Sequence, residues 1–295
     1  MTMVRTILGG VFVAILFIGV VYAAVSPLLQ PVSFPRLRIP WLPAEEERVV
    51  DKYSLVKGVN VSHTAKIVNL SVGIKIGAIN LLFSNDPNLA CEISFERSVN
   101  ASELEANHIE SDERQVLHVN LYGELGGLNL MLGNSYNYNG TFDLRIGGAT
   151  MELGQNANIN KFAVLIKYIG GLNLKINTGA SFEQNDLSVD IGGLQLAVDA
   201  DSLKHSGTVN ANVNIGAVSM IVAVDTGQVG VSLDATVDMG GLTVNHGDFE
   251  GRVSWTSCSV KTVEYSSATN KLDVKATIGL GWGTLQERLP FGFGF

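Results

Sequence analysis

Two cysteines, five histidines, a few Asp-rich turns and four Asn-x-Ser/Thr tripeptides are the side chains here whose chemistry could define a function. Cys91 and Cys258 are the only thiols, and neither has a histidine beside it in sequence to sustain a reactive thiolate. In an oxidising compartment they are candidates for one disulfide. His63, His108, His118, His205 and His246 show no HxH or HExxH spacing, the patterns that bring two imidazoles to one metal. All five are expected to face solvent. Asp199 and Asp201 read as a polar turn, with a calcium site as the alternative. The Gly-rich stretch Gly170-Gly-Leu-Asn-Leu174 lacks the lysine of a phosphate loop, and neither GxSxG nor the Gly-Gly-x-Gly-x-Asp calcium repeat occurs. These residues point to no enzyme, no cofactor and no metal. Asn60, Asn69, Asn100 and Asn139 each open an Asn-x-Ser/Thr tripeptide and are candidates for N-glycosylation. Such tripeptides also arise by chance in an Asn-rich chain.

The chain has 295 residues, 20 Lys+Arg against 28 Asp+Glu, and a formal net charge of -8. That balance disfavours nucleic acid and anionic membrane surfaces as partners, since both need basic patches. With 16% charged residues and 46% hydrophobic ones, the composition is that of a folding chain and not of a disordered one. Ile7 to Val25 is an uncharged run of nineteen residues, long enough for a spanning helix. Residues 1–25 are therefore expected to be a transmembrane anchor, with a cleaved signal peptide as the alternative. Either reading exports the rest of the chain. Five of the seven prolines fall between Ser26 and Pro43, which makes residues 26–50 a semi-rigid stalk.

Residues 51–250 carry an internal repeat. The first glycine of each cycle is Gly77, Gly126, Gly147, Gly170, Gly192, Gly216 or Gly240, at intervals of 49, 21, 23, 22, 24 and 24. The doubled first interval implies a cycle near residues 92–115 that has lost its glycine and become a helical or loop insertion. Apolar residues alternate before each glycine (Phe142, Leu144, Ile146; Leu187, Val189, Ile191). They alternate again after it on the other parity (Ala149, Met151, Leu153; Leu194, Leu196, Val198). Alternation at period two marks a strand with one buried face, and a one-residue slip would turn that face outward. A bend at the glycine cancels the slip. Each cycle is thus two short strands meeting at a corner, and Ile76, Ile146, Ile191, Ile215 and Met239 fall on the core parity just ahead of it.

Such cycles build an all-β fold, a β-solenoid-like stack of ~22-residue units behind the N-terminal helix. A bent antiparallel meander or sandwich is the alternative. Outward asparagines (Asn156, Asn158, Asn160; Asn210, Asn212, Asn214) could ladder between strands or merely face solvent. In an open solenoid Cys91 and Cys258 would lie roughly 33 Å apart, at ~4.8 Å per cycle, so a bond between them requires a sheet that closes on itself or a C-terminal segment that doubles back along the stack. Residues 251–295 leave the glycine rhythm and read as a C-terminal cap. Their Gly-aromatic tail with Phe291, Phe293 and Phe295 is a docking segment in the alternative reading.

Gly-Gly-punctuated β repeats behind a membrane segment resemble the adhesin-like and toast-rack β-repeat domains of prokaryotic envelope proteins. The resemblance covers residues 68–250 and is one of repeat style. It implies envelope attachment, surface structure or stress sensing, and brings no catalytic set to transfer. The sequons, the Pro-rich stalk and the two cysteines depart from the pattern and suit a glycosylated surface. The expectation is a single-pass, cell-surface protein, extracytoplasmic for most of its length, with a structural, adhesive or scaffold role. Its partners would be the membrane, through the N-terminal helix, and a second copy or another surface protein. An envelope sensor or assembly factor that binds a ligand or partner is the alternative.

Overall fold

The computed structural model describes residues 48–111, 115–154, 157–177, 179–200, 203–223, 229–245, 247 and 249–288. The membrane segment, the stalk up to residue 47, Asn156, Asp201, His246 and the Phe291–Phe295 tail lie outside them. Among the described residues no helix is long and apolar enough to cross a membrane.

Among the described residues thirteen strands make one sheet: β1 (Arg48–Val56), β2 (Ile67–Phe83), β3 (Leu89–Ser98), β4 (Glu105–Ser111), β5 (Val116–Leu132), β6 (Asn137–Leu153), β7 (Asn158–Ile176), β8 (Ser181–Asp199), β9 (Gly207–Ala223), β10 (Val229–Asn245), β11 (Glu250–Val253), β12 (Ser257–Lys261) and β13 (Asn270–Arg288). Their spatial order is β1-β3-β5-β2-β6-β7-β8-β9-β13-β10-β12-β11, with β4 also on β5. From β5 to β10 every neighbouring pair is parallel. An antiparallel meander is thereby excluded for this stretch.

Flat parallel strands need a crossover of a dozen or more residues, yet only residues 177–180 join β7 to β8. The short link suffices because each long strand folds back on itself at its glycine, bringing its end near its own start. In β6, Phe142 and Leu144 before the bend and Ala149, Met151 and Leu153 after it are all buried. The two half-strands therefore face one core. Ala157, Ala180 and Ala200 in successive turns are fully buried and close its open side. Edge-to-face ring contacts, Phe142 on Phe162 at 5.3 Å and Phe83 on Tyr138 at 5.6 Å, tie neighbouring coils together.

The corners stack in register. Gly126, Gly77, Gly147, Gly170, Gly192, Gly216, Gly281 and Gly240 are cross-strand partners in that order. A Cβ on any of the last seven would stand 1.7 or 1.8 Å from the carbonyl oxygen of a neighbouring rung, so backbone runs where a side chain would be. Gly77, Gly147, Gly192, Gly216, Gly240 and Gly281 also hold φ between +136 and +151. Gly126 and Gly170 do not, and are required by close approach alone.

The structure departs from the sequence-based expectations at three places. Residues 89–111 hold no helix; they form β3 and β4, which pair antiparallel with the two halves of β5. The doubled glycine interval thus spans edge strands. The C-terminal segment does not simply cap the stack either. β13 enters between β9 and β10 as a full coil with its own corner at Gly281, while β12 and β11 finish the edge beside β10. Finally, Ile76, Ile146, Ile215 and Met239 are not core residues. They are 48, 41, 39 and 62% exposed, because the chain has begun to bend before it reaches the glycine.

Candidate functional site

The residue ahead of each corner glycine is apolar in all eight rungs: Leu125, Ile76, Ile146, Ile169, Ile191, Ile215, Leu280 and Met239. Cross-strand register places them side by side, and seven are between 39 and 62% exposed. The result is an apolar ridge seven strand spacings long, or ~34 Å. At its far end Trp255 and Trp282 meet edge to face at 5.1 Å, with Trp255 65% exposed. Contiguous exposed apolar surface of this extent is a mark of interaction sites. Parity alone assigns five of these residues to the core. The contrary signal is the slip itself: inward Leu144 and inward Ala149 are five apart, an odd step that has to be absorbed by the residues between them.

A second feature lies on the outer face near the first coils. Outward residues of β2 (Ser71, Lys75), β5 (Asn120, Tyr122) and β6 (Thr141, Asp143, Arg145), with Glu105 and Asn107 of β4, line a groove of about 630 Å³. Gly73 opens it, since it stands between Tyr122 and Asp143 in register and carries no side chain. The Tyr122 ring leans into that gap, with Cδ2 3.2 Å from where a Gly73 Cβ would be. Lys75 is paired with Glu124 and Asp143 with Lys167. The hydrogen bond from Lys75 holds the Glu124 carboxyl below its ordinary value and raises the lysine above its own. A smaller depression of about 380 Å³, lined by Asn69, Asn139, Thr141 and Lys161, adjoins the groove at Thr141.

Two sequons therefore belong to this surface. Asn69 pairs in register with Asn139, and Ser71 with Thr141; the Asn139 amide donates to Asn69 Oδ1 at 2.9 Å. On a strand, Asn-x-Ser/Thr amounts to two consecutive outward positions, and polar residues are expected there whatever their use. Asn60 sits in a turn with its amide donating to the Ser54 carbonyl at 2.7 Å, and Asn100 is an exposed turn residue. Side-chain ladders do link adjacent coils, by amide-to-amide bonds near the first coils (Asn139 to Asn69, and Asn80 to Asn129 at 3.3 Å) and by amide-to-carboxylate bonds further on: Asn210 to Asp186 at 2.8 Å, Asn214 to Asp190 at 2.5 Å, Asn177 to Glu152 at 2.6 Å.

Cys91 and Cys258 are separate, buried thiols. They occupy β3 and β12, nine strand spacings apart in the sheet order, or ~43 Å along the stack. A disulfide between them is thus corrected to two free thiols, because the sheet is open and the C-terminal segment joins the far end instead of doubling back. Burial pushes the Cys91 thiol up to about 12 and that of Cys258 to about 11. Such groups are poor nucleophiles. His63, His108, His118 and His205 are exposed, and among the described residues no three His, Cys, Asp or Glu side chains gather as a metal cluster. Asp199 ends β8.

No protein-family model matches the chain, and no curated protein matches it in sequence. Among solved structures it is similar to a "putative cell adhesion protein" from Clostridium sporogenes, at 14% identity and a TM-score of 0.50. That likeness covers 81% of this chain and 100% of the other. It is also similar to a "putative adhesin" from Bacteroides fragilis (10% identity, TM-score 0.27, 83% and 99% covered) and another from Parabacteroides distasonis (11%, 0.28, 83% and 98%). The Clostridium likeness is one of fold, and at that level it meets the expected resemblance to adhesin-like β-repeat domains.

Proposed function

We propose that this chain is a membrane-anchored, cell-surface β-repeat protein with an adhesive or scaffold role, contacting other surface molecules along its corner ridge. The ridge is the observation that carries the reading. Outward positions of a half-buried strand are ordinarily polar, yet eight successive rungs place an aliphatic residue or methionine there. A second copy offers the same ~4.8 Å rung spacing, so the teeth of two ridges match in period. The fold likeness to the Clostridium protein and the uncharged run at residues 7–25 support surface display.

The test is a triple variant, Ile146→Asn, Ile169→Asn and Ile215→Asn, in a protein displayed on beads. Expected is loss of bead-to-bead aggregation, with an unchanged circular dichroism spectrum. Equal aggregation of variant and parent refutes the ridge as the contact surface. A ligand-binding envelope sensor is the second reading, and the groove beside Tyr122 favours it.

A further inference from the structure

We infer that the groove over β4, β5, β2 and β6 is a binding site for a neutral saccharide chain. This deepens the ligand-binding reading and does not depend on the ridge.

The groove has the three things a polyhydroxylated, uncharged ligand requires. The first is an aromatic platform. Tyr122 is 37% exposed on an outward strand position. Its ring leans across the side-chain-free Gly73, with the Lys75 ammonium above it at 5.7 Å from the ring centre, and the exposed part of the ring is apolar surface for the C–H face of a sugar ring. Aromatic rings that are apolar in the body and polar at the tip suit such wet contacts.

The second is a row of groups able both to donate and to accept. Register sets Asn107, Asn120, Ser71 and Thr141 side by side across four strands. Amide and hydroxyl side chains each offer both functions, as a hydroxyl-rich ligand demands. Their ~4.8 Å spacing is close to the length of one sugar unit, so a chain laid across the strands meets a fresh polar partner at each ring. Asn69 and Asn139, two residues back on β2 and β6, and Lys161 of β7 beside Asn139 form a second polar row alongside the first, in the depression that adjoins at Thr141.

The third is a balanced field. Lys75 and Arg145 face Glu105 and Asp143 around the groove, and Lys75 and Asp143 already hold Glu124 and Lys167. No net charge is left to select an ionic ligand. A peptide strand is disfavoured for another reason. It would add to a free sheet edge, whereas β5, β2 and β6 have strands on both sides, and β4, the one outermost strand of the groove, carries Glu105 and Glu110.

The experiment is affinity electrophoresis and calorimetry of the folded protein with cellohexaose, chitohexaose and mannohexaose, with a heparin hexasaccharide as the polyanion. Glycan occupancy of Asn69 and Asn139 is read in parallel by intact mass. Expected is binding to at least one neutral hexasaccharide, weakened at least tenfold by Tyr122→Ala and retained by Tyr122→Trp. Tyr168→Ala, an exposed tyrosine outside the groove lining, should leave it unchanged. A melt of each variant separates loss of site from loss of fold; Tyr122→Trp and Asn120→Ala keep the test usable should Tyr122→Ala unfold. Binding of heparin alone, of none of the four, or equally by the Tyr122 and Tyr168 variants overturns the proposal. So does glycan attached at Asn69 or Asn139 in the native protein, which would fill the track. Loss of aggregation in the ridge variant with sugar binding intact leaves this inference standing, and the reverse result leaves the ridge reading standing.

Discussion

Gly147 and Gly148 are neighbours in the same corner, and the structure assigns them opposite tolerances. At Gly147 φ is +136 and an added Cβ would lie 1.7 Å from the Gly77 carbonyl oxygen and 2.8 Å from its carbon. Contact has to open from 1.7 Å to at least 3.0 Å, so β6 and β2 part locally by about 1.3 Å. A hydrogen bond stretched that far is lost, and one or two such losses cost about 1 kcal/mol each. The backbone conformation itself adds about 1–3 kcal/mol for any L side chain. Gly147→Ala should therefore destabilise by roughly 2–5 kcal/mol, a Tm loss of roughly 4–20 °C for a domain of this size. At Gly148 the nearest atom to an added Cβ is the Gly171 oxygen at 3.6 Å, an ordinary contact. Gly148→Ala should fall within about 0.5 kcal/mol of the parent or stabilise slightly, by restricting the unfolded chain. Thermal and urea melts of both single variants decide the matter. Equal effects, or a Gly147→Ala cost below about 1 kcal/mol, would show that the ladder yields easily and that the corner does not depend on glycine.

Alkaline pH should weaken the fold. Cys91, Cys258 and Tyr265 are held neutral in the native state up to about 12, 11 and 12, the cysteines by burial and Tyr265 first by its hydrogen bond to Asp273. Their unfolded forms ionise near 9 and 10, so this stability is fully present below pH 9 and is lost as pH rises from 9 to 12; a flat Tm from pH 8 to 11.5 would contradict it. Asn185 is 1% exposed on the core face of β8, and its amide makes no hydrogen bond with the described residues. Asn185→Leu should stabilise by roughly 1–3 kcal/mol, and a loss of stability in urea would show that the amide is satisfied. The uncharged run from Ile7 to Val25 should keep the protein in the membrane pellet through carbonate extraction, and a mature chain beginning at Ala24 would rule out an anchor.

Strand content and corner positions are legible because both obey local rules. Period-two alternation marks half-buried strands, and the parity slip at each glycine can be cancelled only by a bend. The ridge is hidden from such rules because Ile146 keeps the parity of Leu144, and parity records position along a straight strand, not where a strand begins to turn. Gly281 lies 41 residues after Gly240, about two repeat intervals, but Trp282 follows it where every other corner has Gly or Ala, so the corner signature is missing. What brings it into the ladder is the entry of β13 between β9 and β10, a long-range pairing without a local signature. The groove depends likewise on register, since Asn107, Asn120, Ser71 and Thr141 come from four strands. Only the sequon tripeptides hint that polar residues gather there, and they suggest a different use.

The ends of the stack decide how copies can associate. A parallel stack leaves an unpaired backbone at each end, which invites end-to-end growth. Here β4 and β3 cover the two halves of β5 at one end, and β12 covers Ser232–Thr236 of β10 at the other, all antiparallel. The outermost strands carry charge, with Arg48, Asp51 and Lys52 in β1, Glu105 and Glu110 in β4, and Glu250 and Arg252 in β11. Charged edge positions disfavour pairing with another chain. The apolar ridge runs along the side of the stack, so association through it is lateral. Concentrated protein imaged by negative-stain electron microscopy should therefore show side-by-side pairs or rafts and no filaments extended along the stack axis. Replacing Arg252 and Glu250 with Val and Thr should remove the edge charge at one end and produce end-joined particles. Filaments in the parent protein, or no end-joining in that double variant, would show that these charged edges are not what blocks axial growth.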